Sequence, residues 1–130
     1  MHTLILVSPQ VGNWCEFADF LENQYDFKTV KARSTHEALE AVRDQRPLAV
    51  VVDAELGDLS GIELVRRLLM VNAMVHTALV SGEAEAIFHE KTEGLGILTP
   101  LPPVLTPKDA AHLAACLEKV VGHSLQRPES

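Results

Sequence analysis

Asp53 ends the apolar run Leu48–Val52, and it is the carboxylate in this chain best placed for chemistry. Open α/β sheets gather their reactive groups at the carboxyl ends of parallel strands. An Asp there can accept hydrogen bonds from the next turn or, with further oxygen ligands, hold a hard cation. Ser81 ends a second apolar run, roughly His76–Val80, and brings a hydroxyl to the same edge. The first apolar run, Thr3–Val7, ends on Ser8-Pro9-Gln10. No G-x-G-x-x-G follows that run, so a dinucleotide fingerprint is absent. His112 and Cys116 stand four apart on a helical stretch, but two ligands without a third do not make a metal site. Packing at the edge of the core is the expectation for that pair. His36, His76, His89 and His123 show no ligand spacing.

The elements that position these residues alternate along the chain. Leu48–Val52 reads as a central strand buried on both faces. Ser60 and Glu63 form an S-x-x-E capping box, Gly61 keeps the turn tight, and Ile62, Val65, Leu68 and Leu69 follow at helical spacing. Gly12 to about Tyr25 reads as a first helix with Trp14, Phe17, Ala18 and Leu21 on one stripe. Lys28–Ala32 is a short strand, and Ser34 with Glu37 opens a helix that turns Ala38, Leu39 and Val42 inward. Glu83–Thr92 reads as a short helix closed by Gly94 and Gly96. The fifth strand has two registers, Ile97-Leu98 before Thr99-Pro100 or Val104-Leu105 before Thr106-Pro107. Thr106 as N-cap with Pro107 and Asp109 behind it favours the first register. The last helix then runs to about Val121, with Leu113, Cys116, Leu117 and Val120 inward, and His123–Ser130 is expected to fray. Five strand–helix pairs imply an α/β, doubly wound parallel sheet of flavodoxin-like (βα)5 type, strand order 2-1-3-4-5. The expected organisation is one domain over residues 1–122 with a C-terminal tail over 123–130.

The composition agrees with a packed domain. The chain has 130 residues, 47% of them hydrophobic, and a net charge of −7. Its pI is about 5.3 and its mean hydropathy +0.10. That acidity argues against direct nucleic-acid binding. No apolar run reaches spanning length and the N-terminus has no basic n-region, so neither a membrane span nor a signal peptide is expected. Cys15 and Cys116 are expected to be buried, reduced thiols of a cytoplasmic protein.

The stretch VVVDAELGDLSGIEL and the strand ending in Ser81 resemble the receiver domains of bacterial response regulators, and the likeness runs from about Thr3 to Val121. The resemblance implies that Asp53 is the phosphoacceptor, that the carbonyl of Glu55 completes a metal shell and that Ser81 contacts the phosphoryl group. Receivers also place an acidic pair after strand one and a Lys before a Pro after strand five. Here Ser8-Pro9 replaces the pair, and both registers put a Thr where the Lys before the Pro is expected, at Thr99-Pro100 or at Thr106-Pro107. Lys108 lies near the second candidate, immediately after Pro107 and two residues beyond Thr106. With Asp53 and Glu55 as weak metal candidates, the site offers one negative charge, and Mg²⁺ binding is expected to be weak or absent.

That implies an atypical, pseudo-receiver domain of two-component (phosphorelay) signalling, a regulatory protein-interaction module with no catalytic residue. Its expected partner is a sensor kinase or an output protein or domain, and a homodimer through the face of helix 4, strand 5 and helix 5 is a further expectation. Two alternatives stand beside it. One is a working phosphoacceptor at Asp53, with Glu16 or Glu55 helping to hold the metal. The other is a flavodoxin-type small-molecule binder, whose SPQVGNW loop has only Trp14 available to stack. The resemblance further implies a cis peptide bond at the proline ending strand five, with Thr99-Pro100 first and Thr106-Pro107 second. Leu101, Val104 and Leu105 are expected either as an exposed apolar contact patch or as cover for the sheet edge.

Overall fold

Strand β1 (His2–Val7) is fully buried from Leu4 to Val7, because both faces of the sheet are covered. Its side chains alternate between two cores. Leu4 and Leu6 face one cluster, Ile5 and Val7 the other. The computed structural model describes residues 1–127. Within it the chain runs through a 3₁₀ turn (Val11–Trp14), α1 (Cys15–Gln24), β2 (Phe27–Ala32), α2 (Thr35–Gln45), β3 (Ala49–Val52) and α3 (Gly61–Val71). It continues through β4 (His76–Val80), α4 (Glu85–Thr92), β5 (Thr99–Leu101) and α5 (Pro107–Val121). The five strands are parallel in the order β2-β1-β3-β4-β5, the doubly wound arrangement expected.

Phe17 and Leu21 of α1 and Leu113 and Leu117 of α5 cover one face. Ala38 and Val42 of α2, Leu64, Val65 and Leu68 of α3 and Phe88 of α4 cover the other. The capping signals hold: Ser34 accepts from the Glu37 amide, Ser60 from the Glu63 amide, and Asp109 accepts from both the amide and the hydroxyl of Thr106. Gly122 ends α5 in the left-handed region, at φ 81°.

The C-terminal third departs from expectation in several places. Strand β5 takes neither expected register, for it is Thr99–Leu101 and pairs Thr99 with Ala78 and Leu101 with Val80. Pro100 is tolerated because β5 is an edge strand and needs no amide on its open side. No cis peptide bond occurs among the described residues. Thr99-Pro100 is an extended step inside a strand rather than the turn that leaves it, so the geometric demand for cis is missing. Leu101 and Leu105 are buried while Val104 is 76% exposed, so the three do not form one exposed patch.

Smaller corrections follow from helix phase. The first helix opens as a 3₁₀ turn, α4 starts two residues later than expected, and Val120 points to solvent. Cys15 is exposed and Cys116 only half-buried, so neither is a core thiol. The segment from His123 is docked over Leu125–Arg127 rather than frayed. The Leu125 carbonyl accepts from the Asp26 amide, Leu125 is buried, and the Arg127 guanidinium donates to the Glu22 carbonyl. The remainder of the expected tail, 128–130, lies outside the described residues.

Candidate functional site

Ser8, Asp53 and Ser81 follow β1, β3 and β4 directly, so the parallel sheet sets them side by side at its carboxyl edge. The backbone fixes each one. The Asp53 amide donates to the Val7 carbonyl, the Ser8 amide to that of Ala32, and the Ser81 amide to that of Leu101. Ser8 is buried, and its hydroxyl donates to Asp53 Oδ2 at 2.7 Å while accepting from the Gln10 amide at 3.0 Å. The hydroxyl is thus engaged both as donor and as acceptor, and Asp53 Oδ2 accepts from a neutral group.

The loop after Asp53 is tied at both ends. Glu55 and Ser60 form an antiparallel bridge, and the Leu56 amide donates to the Leu59 carbonyl. Gly57 makes the turn at φ 90°. The Thr35 hydroxyl donates to Asp58 at 3.1 Å and so fastens this loop to the start of α2. Gly61 lets α3 begin against the sheet, since a Cβ there would overlap the Asp53 carbonyl oxygen and crowd Leu79.

Two cavities flank Asp53. One, of about 300 Å³, is lined by Ser8, Asn13, Trp14, Asp53, Pro103 and Val104. The other, of about 120 Å³, includes Glu55, Ser81, Glu83 and Lys91. The loop after β5 thus brings Pro103, and not Thr99 or Pro100, to the edge of the Asp53 cavity. Thr99 instead sits 2.9 Å from His112 Nε2 on α5, and Pro100 faces the groove beside α4. The Ser81 hydroxyl accepts from the Glu83 amide at 3.1 Å, which starts the turn into α4. Lys91 is the ammonium near this edge, and it lies 2.6 Å from Glu83 Oε1.

The receiver resemblance would place a divalent ion at this edge, where the residues present offer few free oxygen donors. Asp53 is the carboxylate at the cavity, Ser8 already donates to it, and Glu55 stands exposed on the loop. Glu16 is exposed on the first turn of α1. Among the described residues no three His, Cys, Asp or Glu side chains gather as a metal cluster. His112 and Cys116 do meet, with Nε2 and Sγ 3.7 Å apart, but they also lack a third ligand. Sequence reasoning found Asp53 and Ser81 and missed the Ser8–Asp53 bond, the Thr35–Asp58 tie and Lys91. Only long-range pairing brings those groups together, and no local pattern marks them.

The fold is that of response-regulator receiver domains. The chain is similar to a CheY-like receiver domain protein from Methanospirillum hungatei (TM-score 0.79, 15% identity, covering 94% of this chain and 98% of that one). It is similar to a LuxR-family two-component response regulator from Aurantimonas (TM-score 0.78, 19% identity, 95% and 88% covered). It also matches a Burkholderia pseudomallei response regulator with a phosphorylated aspartic acid and a calcium ion (TM-score 0.74, 18% identity, 94% and 72% covered). Among curated sequences it resembles sporulation initiation phosphotransferase F of Bacillus subtilis, 25% identical over 77 residues. That match takes in 59% of this chain and spans 62% of the relative's length. No protein-family model matches the chain. No helix among the described residues is long and apolar enough to cross a membrane.

Proposed function

We propose that this chain is an atypical receiver domain of two-component signalling, a regulatory protein-interaction module whose phosphorylation site is incomplete. The observation that carries the reading is the 2.7 Å bond from the Ser8 hydroxyl to Asp53 Oδ2. Mg²⁺ demands near-octahedral oxygen ligands and gives up its water reluctantly, so one carboxylate beside a hydroxyl recruits it poorly. Transfer of a phosphoryl group is catalysed mainly by charge stabilisation, and here the nearby ammonium of Lys91 is spent on Glu83. The partner is a sensor kinase or an output protein in the cytoplasm, reached through a surface rather than through phosphoryl chemistry. Nucleic acid is not a ligand of this acidic domain, and α4, β5 and α5 supply a face for a homodimer.

Trp14 lines the cavity beside Asp53 and is the single tryptophan, so its fluorescence reports on the site. Titration with Mg²⁺ and then beryllofluoride is expected to leave the emission unchanged. Saturation at or below about millimolar Mg²⁺ would sink the reading. It would promote a second one, in which Asp53 accepts a phosphoryl group and Ser81 contacts it. Two observations favour that alternative: both residues stand at the right strand ends, and the relative from Bacillus subtilis is named a phosphotransferase.

A further inference from the structure

The end of the sheet opposite Asp53 carries an exposed apolar patch that the proposed function does not use. The C-termini of α2 and α3 meet there, below the amino ends of β3 and β4. Met70 is 87% and Met74 84% exposed, and Val71 beside them is 39% exposed. Exposed methionines on a mobile loop would mean little, but this turn is held. The Asn72 amide donates to the Leu68 carbonyl at 2.8 Å, and Asn72 Oδ1 accepts from the Met74 amide at 3.0 Å. Val75 then anchors the chain in the core. The two thioethers are presented on a fixed frame, which spares the entropy of ordering a loop on binding.

A groove of about 410 Å³ adjoins the patch, lined by Val42, Arg43, Arg46, Val71 and Asn72. Neither arginine is ion-paired among the described residues, although Glu and Asp outnumber Lys and Arg by 18 to 11 in the chain. Arg46 also holds a left-handed backbone, φ 46°, the one non-glycine residue to do so among those described. Such a conformation costs energy that a Gly or Asn would avoid. Methionine and arginine are enriched in protein interfaces, where lysine and the acids are depleted. Val71 joins the exposed methionines to this groove, and the two arginines give the groove a cationic lining.

We propose that this patch docks an acidic segment of a protein partner, with an aliphatic side chain seated between Met70 and Met74 and carboxylates on Arg43 and Arg46. Flexible thioethers adapt to such a side chain, and guanidinium forks match carboxylates bidentately. The surface is at the far end of the sheet from Asp53 and does not depend on phosphoryl chemistry.

The test uses the full chain and a labelled helical peptide built of leucine and glutamate, read by fluorescence anisotropy. Saturable binding is expected, weakened about tenfold or more by Met70→Ser with Met74→Ser, and again by Arg43→Glu with Arg46→Glu. The lysine version of the peptide is expected not to bind. The methionine variant should keep its melting temperature, because both side chains are exposed. Absence of saturation with the glutamate peptide overturns the proposal, as does binding that neither variant weakens. Two further outcomes overturn it in favour of another occupant. One is variant-sensitive binding to phosphatidylglycerol vesicles without peptide binding. The other is self-association in sedimentation that the methionine variant abolishes.

Discussion

The Ser8 hydroxyl and the Asp53 carboxylate are bonded across two adjacent parallel strands, at 2.7 Å. That bond spans 45 residues of chain and satisfies a buried hydroxyl that would otherwise be costly. It gives Asp53 a structural role that needs no metal. The same bond is what a divalent ion would have to displace. A hydroxyl at position 8 therefore gives this edge one carboxylate and a neutral donor bonded to it.

Removing the hydroxyl should expose its structural worth. Ser8→Ala leaves the Gln10 amide and Asp53 Oδ2 each without a partner. The expected loss is about 1–3 kcal/mol, the cost of unsatisfied polar groups. Urea denaturation measures it, and an unchanged midpoint would show that the bond contributes nothing to stability.

Building two carboxylates and an ammonium into this edge tests which residue after β5 faces Asp53. Ser8→Asp with Pro9→Asp and Pro103→Lys places two carboxylates and an ammonium around Asp53. This variant is expected to gain stability from Mg²⁺, by about 2.7 kcal/mol at a hundred times the dissociation constant. Thr99→Lys in place of Pro103→Lys should not put an ammonium at the cavity, because residue 99 is buried against His112. Thermal melts of both variants with and without Mg²⁺ distinguish the two placements.

Gly61 is expected to be intolerant of any side chain. A Cβ there meets the Asp53 carbonyl oxygen, which is backbone and cannot swing away, as well as Leu79. Gly61→Ala should cost roughly 1–3 kcal/mol or more as an overpacking substitution, despite the better helix propensity of Ala. A melting temperature at or above wild type would mean that α3 shifts freely, and with it the loop that carries Glu55.

The elements legible in the sequence are those whose signal is local. Val50, Val51 and Val52 form an apolar run, and Ser60 with Glu63 is a cap written four residues wide. Asp53 and Ser81 were found because they end such runs. A fifth strand is expected in this segment but not at this register, because it is three residues long, contains a proline and is defined by pairing with β4, which no local pattern encodes. The expected register puts Thr99 beside Asp53, whereas Pro103 is the residue after β5 that lines that cavity. Of the two expectations for Leu101, Val104 and Leu105, burial holds for Leu101 and Leu105, which pack with Leu113 and Leu117 in one core cluster, and exposure for Val104. The docking of Leu125 beside Tyr25 was hidden for the same reason, since its partners are a hundred residues away.

The loop after β5 separates two roles in a single pair of substitutions. Leu101 is 2% exposed, and Leu101→Ser should cost roughly 2–3 kcal/mol or more of apolar burial. Val104 is exposed, and Val104→Ser should leave stability within about 0.5 kcal/mol of wild type. Equal losses from the two changes would mean that Val104 is covered in solution.

Tyr25 gives the fold an alkaline limit that can be read without interference, because it is the single tyrosine of the chain. Burial raises its phenol above the usual 10.0, and the Glu118 carboxylate adds to the rise. The phenol loses a proton to become an anion, so a raised value means that the folded state holds the proton more tightly than the unfolded chain. The resulting stability is fully present below the unfolded value of 10.0 and is lost as pH rises through the folded value. Tyrosinate absorbance in the folded protein is therefore expected to appear at higher pH than in urea. Glu118→Gln keeps an acceptor for the Leu125 amide, which Glu118 holds at 2.7 Å, while removing the charge. It should lower the titration midpoint only in part, since burial is the larger cause. A midpoint that coincides in folded and unfolded protein would show that Tyr25 is solvated, and that Leu125 and the segment after α5 do not cover it.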